Sequence, residues 1–415
     1  MTYRFNDDGR KISLLGYGAM RMPTVDGKHA NAWAEGSSDA GIDQRRLNEQ
    51  IRDMLDGGVN YFDTSPAYCK GYSEECLGKA LKVSGYRRED YIVATKLSNF
   101  SPSQYSLEKC KEMFEKSLKA LQTDYIDNYL LHSVGNGGFE TFSKRYLENG
   151  ALDWCVELRR SGRIKNLGFS FHGDPKVFEW CMRHHDKYKW DFCLIQMNYV
   201  DWRHAKEVNK RNLDAKYLYD ELTRRKIPVA IMEPLLGGNL AKYNYAVAKE
   251  LTHLDPEATF AKWAFRFCGS HPNVMTVLSG MTFESHIKEN IETFSPLKPC
   301  GANEFNALER AAKAYLSFGL IPCTHCNYCM PCPYGLDIPA HFEFYNSVVT
   351  KKEYSSPRDV LEMYRKAVPD KLRRAERCTD CGRCQVHCPQ NIPISKEMDK
   401  ISRWIDGLVD KELSK

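Results

Sequence analysis

Eight short β-branched apolar runs, alternating with stretches of helical spacing, constrain this 415-residue chain more than any other feature. The runs fall at residues 14–20, 59–63, 91–96, 126–132, 166–171, 192–198, 228–233 and 274–279, with helix-like patterns such as 45–55, 106–121, 152–161 and 213–225 between them. Strands alternating with helices make parallel β/α units. Eight units, in the ~250 residues typical of the class, fit a closed (β/α)8 TIM barrel better than an open doubly wound sheet. No Gly-x-Gly-x-x-Gly turn follows an early strand, which counts against a Rossmann domain.

In such a barrel the reactive side chains stand at the C-terminal ends of the strands. Asp63, Lys96 and His132 each end a predicted strand, and Tyr68 lies in the loop after the second. Singly, Asp63 could cap a loop, Lys96 be a solvated charge, His132 a core histidine and Tyr68 a packing aromatic. Their convergence on one end of one barrel says more. The stretches Gly16-Tyr17-Gly18, Gly58-Val59-Asn60-Tyr61-Phe62-Asp63-Thr64-Ser65-Pro66-Ala67-Tyr68, Ala94-Thr95-Lys96 and Tyr129-Leu130-Leu131-His132 resemble the aldo-keto reductases, over roughly residues 10–290.

That resemblance implies an oxidoreductase for small carbonyl and alcohol substrates, with Asp63, Tyr68, Lys96 and His132 as its catalytic tetrad. Carbonyl reduction needs a hydride on carbon and a proton on the developing alkoxide, and a free tyrosine with pKa near ~10 is a reluctant acid. Tyr68 is read as the general acid/base and Lys96 as the ammonium that lowers its pKa. Asp63 is the partner of Lys96, and His132 the donor that orients the carbonyl oxygen.

The resemblance also implies a site for NADH or NADPH, and here the chain departs from the family. Ser170 and Gln196 match positions that hold the nicotinamide carboxamide, but the Asn expected beside Ser170 is Phe171, followed by His172. The residue expected to stack on the nicotinamide is Met232, in Met232-Glu233-Pro234-Leu235, which offers no ring face. Gly280 and His286 stand where a Lys and an Arg would grip a 2′-phosphate, so NADH is as well suited as NADPH. Glu289 and Asn290 remain to reach the adenine. A flavin in the same crevice, or no nicotinamide at all, stays open.

The last hundred residues carry a second organising feature. Two runs, Cys323-x2-Cys326-x2-Cys329-x2-Cys332-Pro333 and Cys378-x2-Cys381-x2-Cys384-x3-Cys388-Pro389, hold eight of the 16 cysteines. The second run matches the bacterial ferredoxin spacing, and the first is one residue short before its last cysteine. Two complete sets of four favour two [4Fe–4S] clusters over zinc. The ferredoxin resemblance implies crossed ligation, with Cys323, Cys326, Cys329 and Cys388 on one cluster and Cys378, Cys381, Cys384 and Cys332 on the other. Between the runs, residues 359–367 place Val360, Leu361, Tyr364 and Ala367 on one helix face, resembling the α-helical ferredoxin type.

The chain therefore divides into a barrel over residues 1–298 and a smaller, mainly α-helical iron–sulfur unit over 299–415, with the proline-marked stretch 295–299 as linker and a helix at 303–315 bridging the two. The scattered cysteines read as small buried hydrophobes. The first ten residues have no signal-peptide core and no run is long enough for a membrane span, so a cytoplasmic protein is expected. Fifty-nine basic against 54 acidic residues, a net +5, give no general charge for nucleic acid. The basic stretch 371–377 is either a solvated helix face or a dock for an acidic ferredoxin or flavodoxin.

A hydride carries two electrons and each cluster moves one. Three classes remain: a carbonyl reductase with structural or regulatory clusters, an electron-transfer enzyme whose clusters feed a barrel-bound flavin or substrate, and an electron carrier that keeps the barrel as a scaffold. Loops 24–42, 133–149 and 199–211 are expected to shape the substrate pocket.

Overall fold

The computed structural model describes residues 1–5, 9–27, 41–208, 212–351 and 356–414. Its strands are β1 (Tyr3–Phe5), β2 (Lys11–Ser13), β3 (Leu15–Gly18), β4 (Tyr61–Asp63), β5 (Ile92–Leu97), β6 (Ile126–Val134), β7 (Ile164–Phe171), β8 (Phe192–Gln196), β9 (Val229–Met232) and β10 (Val274–Ser279). The eight predicted strands are β3 to β10, and they neighbour one another in chain order around a closed parallel barrel, β10 pairing back onto β3. Tyr61, Ile92, Leu130, Phe192 and Leu278 fill the interior. The β1–β2 hairpin was not expected, and its Ile12 joins that interior just ahead of β3, closing the N-terminal end.

The outer helices form for local reasons that the sequence displays. In Leu107–Leu121 the Ser106 hydroxyl accepts the Lys109 N–H at 3.3 Å, Cys110, Phe114, Ser117, Leu118 and Leu121 share the buried face, and Gln122 ends the helix in the left-handed conformation at φ 54°. The eight scattered cysteines are all buried.

The helix Ala302–Leu316 packs into the barrel's own hydrophobic core through Ala307, Leu308, Ala311, Ala312 and Tyr315, and Leu297 and Cys300 belong to the same core. Arg266, only 2 % exposed, donates to both carboxylate oxygens of Glu304 at 2.8 Å and ties this helix down. A second core begins at Ile321 and is built by the helices Ile338–Lys351, Pro357–Ala367 and Ile394–Leu413. Among the described residues beyond 298 there is no strand. Val360, Leu361 and Tyr364 are buried as expected, but Ala367 is exposed: the helix ends there, and Val368, at φ −130°, turns into the core in its place.

Residues 28–40 and 209–211, parts of two loops expected to shape the pocket, lie outside the described residues. The loop 133–149 winds into the short helices Gly138–Phe142 and Ser143–Leu147. No described helix is long and apolar enough to cross a membrane.

Burying Leu308, Tyr315 and three alanines contributes roughly 5 kcal/mol to the barrel. A chain ended after Gly319 should keep a cooperative thermal transition, whereas one ended after Lys298 should lose it. Calorimetry of the two truncations checks this.

Candidate active site

Lys96 is the most confined member of the site. It lies fully buried in β5, and its ammonium donates to Asp63 Oδ1 at 2.5 Å and to the Thr64 carbonyl at 2.7 Å. Asp63 ends β4, so the loop that carries Tyr68 starts from this contact. The ammonium stands 4.8 Å from the centroid of the Tyr68 ring, and that ring meets His132 edge to face with centroids 5.9 Å apart. The four residues read from the sequence thus meet at the C-terminal end of β4, β5 and β6.

Burial pushes Asp63 up and Lys96 down, toward their neutral forms, and their mutual contact opposes both changes. His132 is held well below the usual histidine range, first by burial and then by Lys96, Arg145 and His172. Its ring is therefore neutral. The Ser98 hydroxyl lies 2.6 Å from Nδ1, and with Ser98 donating there the ring proton sits on Nε2, the donor a carbonyl oxygen needs.

Tyr68 departs from expectation. Lys96 was to lower its pKa, yet the phenol is held well above its ordinary value by burial first, then by the Asp63 and Glu233 carboxylates and the Cys69 thiol. The reason is geometric: the ammonium hydrogen-bonds Asp63 and the Thr64 carbonyl, and its charge is largely matched there. Tyr68 stays protonated, as a proton donor must.

A profile of the Aldo/keto reductase family matches residues 17–312. The chain belongs to that family. A 4Fe-4S dicluster domain profile matches residues 322–392 of the same reductase. L-galactose dehydrogenase of Arabidopsis thaliana is 26 % identical over 311 residues, 71 % of this chain and 88 % of the relative. A probable voltage-gated potassium channel subunit beta of Oryza sativa subsp. japonica is 30 % identical over 324 residues, 68 % and 88 % of the two chains. Among solved structures, an aldo-keto reductase from Bacillus halodurans superposes with a TM-score of 0.56 at 24 % identity, covering 76 % of this chain and 97 % of that one, a likeness of fold.

The residues read as this reductase's dinucleotide cradle are otherwise engaged. Ser170 Oγ accepts the Ser133 N–H at 2.7 Å. The Gln196 amide donates to Asp201 at 2.8 Å and exchanges hydrogen bonds with Gln390 of the cysteine unit at 3.4 and 3.2 Å. Met232 packs on the barrel interior, and Asn290 donates to Ser279 at 3.0 Å. Glu289 accepts from Thr259, His286 lies exposed against the Phe283 ring, and the Arg21 side chain lies along Gly280. After Pro234 and Leu235, the loop meets the first cysteine run: Asn239 donates to the Cys323 carbonyl at 2.8 Å, and Arg21 bridges the Gly237 and Thr324 carbonyls. A Cβ on Gly237, whose φ is +68°, would fall 2.4 Å from Thr324. With the unit seated so, these side chains have partners within the chain, whereas membership of the family implies use of NADH or NADPH.

The two cysteine runs share one backbone pattern. His325 and Asn327 in the first, and Asp380 and Gly382 in the second, have positive φ at matching places, as do Gly335 and Asn391 after the last cysteines. Cys332 and Cys388 each accept a backbone N–H from those last residues, at 2.9 and 3.0 Å. Electrostatically, Cys326 is influenced by Cys388 and Cys323, and Cys384 by Cys378, Cys332 and Cys381. Among the described residues no group of three or more His, Cys, Asp or Glu side chains closes into a metal-holding cluster.

Four residues of this site were not foreseen. Glu233, at φ 56° on the end of β9, and Tyr328, between Cys326 and Cys329, both act electrostatically on Tyr68 or on its neighbours. Arg145, 3 % exposed, donates to the His132 carbonyl at 2.7 Å and fixes the end of β6. Glu74 is buried behind Lys96, accepting from Thr95 at 2.5 Å and Ser117 at 3.1 Å. The motif points outward along the strands, and nothing in it marks these positions.

Burial raises Glu74 from an ordinary 4.5 to about 7, against the opposing pull of Thr95, Ser117 and Lys96. A carboxyl raised in the folded state stabilises most at low pH, and that contribution falls as pH rises from about 4.5 to about 7. Glu74→Gln should therefore gain on the wild type by up to about 3 kcal/mol across that window. Urea denaturation of both proteins at its two ends measures the difference, and an unchanged difference would show that folding does not shift the Glu74 carboxyl.

Proposed function

We propose that this reductase interconverts small carbonyl compounds and alcohols at the barrel mouth, and that the eight cysteines of the C-terminal unit would hold two [4Fe–4S] clusters. The observation that carries the reading is the seat of the first cysteine run, held by Asn239 at the Cys323 carbonyl, which leaves Tyr328 within electrostatic reach of Tyr68 and Glu233, and Cys326 of Glu233. Eight thiols on two loops of repeated backbone form suit the crossed assignment: Cys323, Cys326, Cys329 and Cys388 for the inner set, Cys378, Cys381, Cys384 and Cys332 for the outer. Two such clusters, when bound, supply singly the two electrons that a carbonyl takes up.

The chain's own residues handle the proton. Tyr68, kept protonated by burial, gives its proton to the carbonyl oxygen and recovers it in the oxidative direction. His132, neutral and held through Nδ1, offers Nε2–H to the same oxygen. Lys96 and Asp63 hold the loop at its root, and Thr324, 2 % exposed, helps shut out water.

A second reading, in which NADH or NADPH brings the hydride, is supported by family membership and by Arg21, which places a cation next to Gly280. It requires the cysteine unit to lift from Gln196.

Protein purified without oxygen should contain about eight iron and eight sulfide per chain. It should reduce members of an aldehyde and ketone panel with a reduced one-electron donor, and Tyr68→Phe should lower that rate by about a hundredfold or more with unchanged cluster absorption. Turnover with NADH or NADPH alone, undiminished by Cys326→Ala, would establish the second reading, and flavin bands in the spectrum would add a carrier to the first. For the crossed ligands, the paramagnetic resonance of reduced Cys388→Ala should match that of Cys326→Ala. A match to Cys381→Ala would mean that each run binds its own cluster.

A further inference from the structure

A neutral imidazole carries one hydrogen, so His132 can offer Nε2–H to a carbonyl oxygen only while Nδ1 is bare. Its Nδ1 meets two buried hydroxyls, Ser98 Oγ at 2.6 Å and Ser65 Oγ at 3.4 Å. A hydroxyl both gives and accepts a hydrogen bond. The contact with Ser98 alone therefore leaves two tautomers open: Ser98 gives its hydrogen to Nδ1, or takes one from it.

The atoms behind Ser98 decide between them. The backbone N–H of Ala67, which can only donate, meets Ser65 Oγ at 3.1 Å. Ser65 Oγ in turn lies 2.9 Å from Ser98 Oγ, closer than it lies to the ring, so its hydrogen goes to Ser98. Ser98 then has two places for its own hydrogen, Nδ1 at 2.6 Å and the Lys96 carbonyl at 3.4 Å. The shorter contact is the stronger bond. Placing the ring hydrogen on Nδ1 would turn Ser98 toward the longer one and exchange a good bond for a poor one. The ring itself is held in place, with the Phe100 ring 4.9 Å and the Tyr68 ring 5.9 Å from it, and with Arg145 and Tyr146 donating to the His132 carbonyl at 2.7 and 2.8 Å.

We propose that Ser65 and Ser98 are positioning residues that lock His132 in the Nε2–H tautomer, and that this lock is anchored in the loop that carries Tyr68. The inference rests on the reading above, in which Nε2 donates to the carbonyl oxygen. Ser65 stands three residues before Tyr68, directly after Thr64, whose carbonyl accepts from Lys96 at 2.7 Å. One stretch of loop thus carries the proton donor and fixes the hydrogen of the second donor, across from it on β6. The two donors are set together, and a displacement of Ser65 would unsettle both.

Nitrogen NMR of the oxygen-free full-length protein, labelled at its 12 histidines, tests this directly, since a bare ring nitrogen and one bearing hydrogen resonate far apart. The His132 signals are those missing from the His132→Gln spectrum. The wild type should show a bare Nδ1 and a protonated Nε2. Ser98→Ala should bring hydrogen onto Nδ1 in part of the molecules and lower carbonyl turnover by about tenfold or more, as a misplaced tautomer does. Ser98→Thr, which keeps the hydroxyl, should restore both readings, and Ser65→Ala should shift both in the same direction by less. A protonated Nδ1 in the wild type, or an unchanged tautomer in Ser98→Ala, would overturn the proposal. The two readouts also separate it from the function it rests on: turnover by a wild type with hydrogen on Nδ1 sinks the lock alone, whereas a bare Nδ1 in a protein that turns over no carbonyl sinks the proposed function and leaves the lock standing.

Discussion

A lysine ammonium withdrawn from water inside a barrel wall is tolerated only when its charge is matched at once. Lys96 is such a group, and the site is arranged around satisfying it. Asp63 and the Thr64 carbonyl take its hydrogen bonds, which fixes where β4 ends and where the next loop begins. That loop is held again at Ser73, whose hydroxyl meets Thr64 at 2.8 Å and donates to the Ala19 carbonyl at 2.8 Å. Tyr68 lies between these two anchors. Glu74 follows immediately, adding a second carboxyl on the far side of the same lysine. The position of the phenol is thus a consequence of burying one cation.

The cysteine unit imposes the second constraint. It meets the barrel through backbone carbonyls and amides rather than an apolar face: Asn239 to Cys323, Arg21 to Thr324, Gln196 with Gln390, and the surface pair Lys242–Glu343 at 3.1 Å. Polar seams of this kind are specific in register yet modest in strength. Gly237 is what allows so close an approach, since any side chain there would meet Thr324.

Much of this was legible in the chain itself. Strand runs followed by helical spacing revealed the barrel because burial on both faces writes a continuous apolar signature. The meeting of Asp63, Lys96 and His132 could be read because they sit toward strand ends, with Tyr68 in the loop that leaves the first of them, where a motif and a fold agree on one location. The β1–β2 hairpin could not, because three-residue strands held by backbone ladders leave no pattern in side chains. Glu74 and Glu233 escaped because a glutamate in sequence says nothing of its dielectric surroundings. The fate of Gln196 was hidden for another reason: its partner, Gln390, is 194 positions away in a separate core. Ala367 shows the smallest failure, a last helical residue that lies on the predicted face yet is exposed because the helix ends with it.

The helix Ala302–Leu316 belongs to the barrel's core and the second core starts at Ile321, so the connection between the two units is very short. Fully stretched, a tether of that length reaches roughly 15 Å. Were the polar seam to open, the unit could swing on its hinge but not diffuse away, and its effective concentration at the mouth would stay in the millimolar range or above. Any opening is then a brief excursion with rapid return, which lets a weak contact act as a permanent one.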